Sequence, residues 1–198
     1  MVTYEPRLMV VDANQDNLAN LDARVCRYCL YWESPKEFGT DLAKSSADWR
    51  RREPYRRPGV GGKIAYLGAR PVGYAHFGPG HVFSERVAEY AAGPPSDDAL
   101  FLACLTVEES ARGKGVGRAL LEAVLAEAQR RGVKAVETYA RRGSTNNPSG
   151  PLELYLRHGF HIRRGDAEFP LVRRELGVVR VSCGIMAYRA QGRAPAGI

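Results

Sequence analysis

ALFLACLTVEESARGKGVGRALLEAVLAEAQRRG, residues 99–132, is the stretch that decides the fold. Its first nine residues, Ala99 to Val107, form an apolar run bounded by polar residues, the pattern of a strand. From Val116 to Arg131 the apolar positions 116, 120, 121, 124, 125 and 128 make one face of a helix, and Arg130, Arg131 and Gly132 supply a cationic last turn and a glycine stop. The glycines of Arg112-Gly113-Lys114-Gly115-Val116-Gly117 therefore stand where a strand hands over to a helix. At such a junction the first N–H groups lack intrahelical partners and the macrodipole adds partial positive charge, so a phosphate is favoured. Residues without Cβ let it approach the backbone closely. The expectation is a diphosphate-bearing ligand.

Two common phosphate loops do not fit. A triphosphatase loop needs G-x-x-x-x-G-K-[ST], and no Lys-Ser or Lys-Thr pair follows these glycines. A dinucleotide fingerprint needs a third glycine three residues after the second, and that place falls on Arg118 or on Leu120. The segment instead resembles the acetyl-CoA loop of the GNAT N-acetyltransferase superfamily, Arg/Gln-x-x-Gly-x-Gly/Ala, with Arg112, Gly115 and Gly117 at the matching places. Leu105-x-Val107 upstream and Ala119-Leu120-Leu121 downstream are also similar to that family. So is the stretch from Leu152 to Phe160, which matches the family's late helix and following strand: Leu154-Tyr155, three residues, then Gly159-Phe160. The resemblance covers residues 60–175 well and the first 60 in outline.

The resemblance implies an α/β fold with a mixed, mostly antiparallel central sheet of about six or seven strands flanked by helices. It would form a single domain over residues 1–190, with 191–198 as a disordered tail. It also implies transfer of acetyl directly from the acetyl-CoA thioester to a primary amine of an unidentified small molecule or protein. Backbone donors at Leu105, Thr106 and Val107 would hold the pantetheine arm and polarise the thioester carbonyl. Arg112, Gly113, Lys114, Gly115, Val116 and Gly117 would hold the diphosphate, and Lys114, Arg118 or Arg142 the remaining phosphate. Asn146 or Asn147 would contact the pantetheine, although Asn147-Pro148-Ser149-Gly150-Pro151 departs from the family's Asn-x-x-Ala. Tyr155 stands where the family has the acid that protonates the leaving thiolate; a half-buried core tyrosine is the structural alternative.

No base is legible. An amine with a pKa near 10 must lose a proton before or during attack. Glu108 and Glu109 lie beside the loop and Glu137 on the next strand, yet exposed glutamates are common and none is singled out, and a water relay leaves no trace in a sequence.

Composition bounds the remaining classes. The chain has 198 residues, enough for one substantial core. It shows no apolar run of bilayer-spanning length and no leader pattern at its start, so no membrane partner is expected and the default address is the cytoplasm. Four cysteines, at 26, 29, 104 and 183, do not make a secreted disulfide framework. Cys26-x-x-Cys29 lacks two further ligands at metal spacing and falls inside a helical pattern, so core or surface cysteines are the expectation and no metal is assigned. The net charge of +7, from 29 Lys plus Arg against 22 Asp plus Glu, attracts anions without naming one. Arg50, Arg51, Arg52, Arg56 and Arg57 form its densest cluster, expected as a solvated face rather than a nucleic-acid or ribosome contact.

Elsewhere, residues 7–11 read as a first strand, with Asp12 or Asn14 capping an amphipathic helix through Leu18, Leu21, Val25, Cys29 and Trp32. The Pro- and Gly-rich stretch 34–62 reads as a lid, and 63–67 with 72–77 as a hairpin. Residues 78–98 read as an insertion, 135–140 as a strand, and a helix starts near Pro151. Closing strands are expected at 160–162 and 178–188, the latter able to pair across a homodimer. Glu33, Glu85 and Glu89, if they line the cleft, would favour a cationic acceptor. A non-catalytic acyl-CoA sensor or interaction module is the competing class, because a fold does not fix a function.

Overall fold

The computed structural model describes residues 6–14, 16–21, 31–32, 54–143 and 149–177. Seven strands form one sheet: β1 (Leu8–Asp12), β2 (Gly61–Leu67), β3 (Arg70–Pro79), β4 (Ala99–Val107), β5 (Ala135–Tyr139), β6 (His161–Arg164) and β7 (Leu171–Glu175). Their order is β1-β2-β3-β4-β5-β7-β6. Every neighbouring pair is antiparallel except β4 with β5. A parallel pair needs a crossover, which α2 (Val116–Arg130) supplies after the short α1 (Ser84–Val87). The last helix is α3 (Leu152–Arg157).

Successive side chains of a strand point to opposite faces, and β4 divides its residues accordingly. Leu100, Leu102 and Leu105 join the core under α2, with Val116, Leu120, Leu121, Val124, Leu125 and Ala128. Phe101, Ala103 and Cys104 join a second core on the other face, with Trp32, Phe83, Val87 and Tyr139. Ala103 and Cys104 can share a face because β4 carries a bulge: His76 pairs with Cys104 but Phe77 with Leu102, leaving Ala103 extra.

Three expectations are corrected. Leu18 does not open an α-helix: a 3-10 turn covers Asn17–Asn20 and Leu21 is already extended, while 22–30 lie outside the described residues. Asn14 does hold that turn, its Oδ1 accepting from the N–H groups of Asp16 and Asn17 at 3.0 and 2.9 Å. The 78–98 segment is less of an insertion than its composition implies, because Gly78 and Pro79 belong to β3, and Phe83 and Val87 anchor the following turns in the second core. The strand beside β5 is 171–175, a segment not expected to be one. The 178–188 segment, the 191–198 tail, Cys26, Cys29, Glu33, Arg50, Arg51 and Arg52 lie outside the described residues.

Two buried ionic groups fix this frame. Glu127, on the buried side of α2, accepts hydrogen bonds from Arg130 at 2.6 and 3.0 Å and from Arg131 at 2.6 Å. The Arg130 hydrogen bonds, with those of Arg131 behind them, hold its carboxyl well below the usual range, at about 2. A depressed folded-state pKa gives stability that is present above the unfolded value and lost as pH falls through the folded one. Melting curves between pH 7 and pH 2 should therefore show wild type losing more stability below about pH 4.5 than Glu127→Gln, by a few kcal/mol. Parallel losses would remove Glu127 from acid denaturation.

Glu137 is fully buried and takes Ser96 N–H at 2.7 Å, Ser96 Oγ at 3.0 Å and Arg173 Nη1 at 2.8 Å. Arg173, itself buried, also reaches Asp98 at 3.0 Å. Replacing Arg173 with Met leaves buried Glu137 only the Ser96 donors and the partly exposed Arg163, 3.4 Å away, and should cost about 3 kcal/mol in denaturant melts, whereas Glu137→Leu with Arg173→Met should recover most of it. Equal losses in both variants would show that packing, not charge, is what matters there.

Candidate active site

The sheet opens between β4 and β5. Their ladder holds only for Ala99 to Phe101 against Ala135 to Glu137. Beyond it β5 continues beside β7, and β4 beside β3 as far as Gly73 with Val107. The bulge at Ala103 follows closely on the last shared pair, and a bulge bends its strand. From Leu102 to Val107 one edge of β4 thus faces a gap, and alternate residues direct backbone N–H and C=O groups into it.

That gap is a cleft of about 670 Å³. Leu105, Thr106 and Val107 form one wall, the loop from Ala111 to Arg118 one end, and Gly150, Pro151 and Leu154 the facing wall. The facing wall is held by Arg141, whose N–H donates to Gly150 O at 3.0 Å and whose carbonyl accepts from Leu152 N–H at 2.9 Å. These two bonds set α3 into the gap.

Gly113 and Gly115 take φ values of 75° and 79°, which other residues rarely adopt, and a Cβ on either would meet nothing within 4 Å. Space in front of this backbone is open. Ala119 N–H is the first to bond within α2, to Gly115 O at 3.0 Å, so the N–H groups of Val116, Gly117 and Arg118 precede any intrahelical acceptor. A Cβ on Gly117 would sit 3.7 Å from Val107 Cγ2 and 3.9 Å from Leu154 Cδ2, in the narrow part of the cleft. Among the described lining residues there is no carboxylate, while Arg112, Arg118, Arg157 and His158 are all present. Open backbone donors and cationic walls suit an extended polyanion.

Tyr155 lies under the opposite end. It is fully buried, its hydroxyl donates to Ser149 O, and its ring meets Phe160 edge-on at 5.2 Å. It is thus a core residue, more deeply placed than the half-buried alternative. A Cβ on Gly150 would stand 3.1 Å from the hydroxyl and 3.5 Å from Leu105 Cδ2, so the hydroxyl lies beside Gly150, which lines the cleft, while Tyr155 itself does not line it. Burial pushes its pKa up, and the hydroxyl stays protonated at neutral pH.

Of the residues expected to hold the cofactor, Leu105, Thr106, Val107, Arg112, Gly113, Gly115, Val116, Gly117 and Arg118 all line the cleft. Lys114 is exposed and outside the lining, and Asn146 and Asn147 fall outside the described residues. Arg142 is also outside the lining, with its Nε bonded to Asp166 O at 3.1 Å. Of the glutamates near the loop, Glu108 is buried against Arg70 at 3.1 Å and Ser110 at 3.0 Å, and Glu137 is enclosed by the Arg173 network. Glu85 is exposed, Glu89 pairs with Arg86 at 2.5 Å, and neither lines the cleft. Leu154, Arg157 and His158 carried no expected site role from the sequence. Their spacing of three and four residues on α3 was the available signal.

The sequence profile of the acetyltransferase (GNAT) family matches residues 27–160, more than half of the chain. The chain belongs to the acetyltransferase (GNAT) family. It is therefore an acyltransferase, and acetyl-CoA is its cosubstrate. Among curated protein sequences none matches it. Solved structures share the fold. An acetyltransferase from Thermus thermophilus superposes with a TM-score of 0.59 at 17% identity, covering 87% of this chain and 100% of that one. The PaiA N-acetyltransferase from Thermoplasma acidophilum, determined with coenzyme A, gives 0.56 at 12% identity, covering 86% and 99%. The ribosomal-protein-S18-alanine N-acetyltransferase from Escherichia coli gives 0.53 at 15% identity, covering 85% and 94%. The residues of this acetyltransferase fit the cosubstrate: the vacant Cβ positions at Gly113 and Gly115 leave room for a diphosphate against the backbone.

Among the described residues no group of three or more His, Cys, Asp or Glu is placed to hold a metal. None of their helices is long and apolar enough to cross a membrane.

Proposed function

We propose that this acetyltransferase moves acetyl directly from the CoA thioester to a primary amine. The observation that carries the reading is the cleft itself: the open edge of β4 runs between the N-terminus of α2 and the buried Tyr155 hydroxyl. Acetyl-CoA supplies an acetyl group already activated as a thioester. The N–H groups of Gly115, Val116, Gly117 and Arg118 bind the diphosphate, helped by the positive end of α2. Backbone donors between Leu105 and Val107 orient the pantetheine arm and polarise the carbonyl, costing little reorganisation because the sheet fixes them. Tyr155, kept protonated by burial, donates to the sulfur as it gains charge. No described carboxylate lines the cleft, and the amine proton is assigned to solvent.

The test is release of CoA thiol at neutral pH with a panel of primary amines and peptide N-termini. Release that depends on the amine, matched by a mass gain of one acetyl on it, is the expected result. Binding of acetyl-CoA without release for any amine would favour the acyl-CoA sensor instead.

A further inference from the structure

Thr138 carries a hydroxyl into the core without closing a hydrogen bond. It lies on β5 between Val136 and Ala140, and a strand sends alternate side chains to one face. Val136 and Ala140 pack in the core that also holds Tyr155, so Thr138 faces the same side of the sheet. It is fully buried, and its Oγ1 has no hydrogen-bond partner of ordinary geometry. Its polar neighbour is the Tyr155 hydroxyl: burial pushes the pKa of that group up, Thr138 pulls it down, and Cys104 on β4 adds a smaller rise. A buried hydroxyl left unpaired costs stability, so one kept beside a reacting group calls for a reason.

The reason lies in what Tyr155 becomes. At rest its hydroxyl donates to Ser149 O, a carbonyl that can only accept. That partner suits the neutral phenol and repels the phenolate. In the proposed transfer the amine nitrogen bonds to the acetyl carbon, and the C–S bond breaks with its electron pair on sulfur. The Tyr155 O–H proton passes to that sulfur, so coenzyme A leaves as the thiol. The proton of the amine goes to solvent, and Tyr155 stays a buried phenolate until solvent returns a proton. A phenolate only accepts hydrogen bonds, and the Thr138 hydroxyl is a donor already in place.

We infer that Thr138 is a positioning residue for acetyl transfer: its hydroxyl stands idle beside Tyr155 and donates to the phenolate that forms as Tyr155 gives up its proton. The inference rests on the proposed role of Tyr155 and adds the group that takes up the charge left behind. A hydrogen bond to a charged acceptor is about twice as strong as a neutral one, so this contact strengthens as the proton leaves.

The experiment compares wild type, Thr138→Val and Thr138→Ser by three readouts. Melting should place Thr138→Val at or above the wild-type Tm, because a methyl group replaces an unpaired buried hydroxyl. Release of CoA thiol with the amine panel, at saturating acetyl-CoA, should slow about tenfold in Thr138→Val with KM for acetyl-CoA unchanged, and should recover in Thr138→Ser. In a Tyr155→Phe background Thr138→Val should have no further effect. A fluorinated tyrosine placed at 155 and followed by its fluorine resonance should titrate about one pH unit higher in Thr138→Val, the same tenfold read as an ionisation constant. A wild-type kcat or an unmoved titration in Thr138→Val would overturn the inference with Tyr155 still standing as the donor. So would a loss of turnover that persists in the Tyr155→Phe background, or one that follows a lowered Tm without rescue by serine. Full turnover in Tyr155→Phe, or no amine-dependent release by wild type, would instead remove the underlying reading.

Discussion

Gly117→Leu should abolish stabilisation by acetyl-CoA while leaving the fold intact. Gly117 is in the first turn of α2, where leucine is a better helix former than glycine. A Cβ there makes only ordinary contacts with Val107 and Leu154, so the backbone tolerates it. A leucine side chain extends further, into the gap between those two residues, across the path that the proposed placing gives the pantetheine arm. Wild type at a hundredfold excess over Kd should gain about 2.7 kcal/mol, which raises Tm by roughly 5–10 °C. Gly117→Leu should show an unchanged Tm alone and a shift near zero with acetyl-CoA. Gly117→Ala, which adds only the tolerated Cβ, should keep most of the wild-type shift. A normal shift in Gly117→Leu would mean that the ligand does not pass between Val107 and Leu154.

Tyr155→Phe should lower kcat by about a hundredfold with little change in acetyl-CoA affinity, the range expected for a lost proton donor. Tyr155 is not among the residues that line the cleft, so removal of its hydroxyl leaves the binding walls in place. It does release Ser149 O from a buried hydrogen bond, for which melting should show a cost of about 1 kcal/mol. The two readouts separate the roles. Loss of stability with full turnover would make Tyr155 a packing residue that fastens the 149–151 segment. Loss of turnover at saturating acetyl-CoA, with the Tm drop small, is what a donor to the leaving sulfur requires.

The parts of this molecule that were legible in its sequence are those with a plain apolar run or an apolar face at regular spacing. β4, α2 and the β2–β3 hairpin meet that condition, and each was expected within a few residues of where it lies. β7 hid because its inward position 173 is an arginine, buried by an ion network whose partners, Asp98 and Glu137, lie 75 and 36 residues away in the chain. Glu137 could not be singled out for the same reason. Burial of a carboxylate depends on a partner that periodicity cannot reveal. The cleft was half legible: glycines at 113 and 115 mark a backbone requirement that local sequence states directly. Its other wall depends on where Arg141 carries α3, which is a tertiary fact. The bulge at Ala103, just past the last pair of β4 with β5, left no mark in an unbroken apolar run.

The measurement that bears most directly on the account is calorimetric titration of acetyl-CoA into the intact chain at moderate salt, after mass analysis has shown that no acyl-CoA co-purified. Saturable binding at one site per chain, lost in Gly117→Leu, is the predicted result. No heat of binding to a protein shown to be folded and empty would contradict the assignment of the β4–β5 cleft as the acetyl-CoA site.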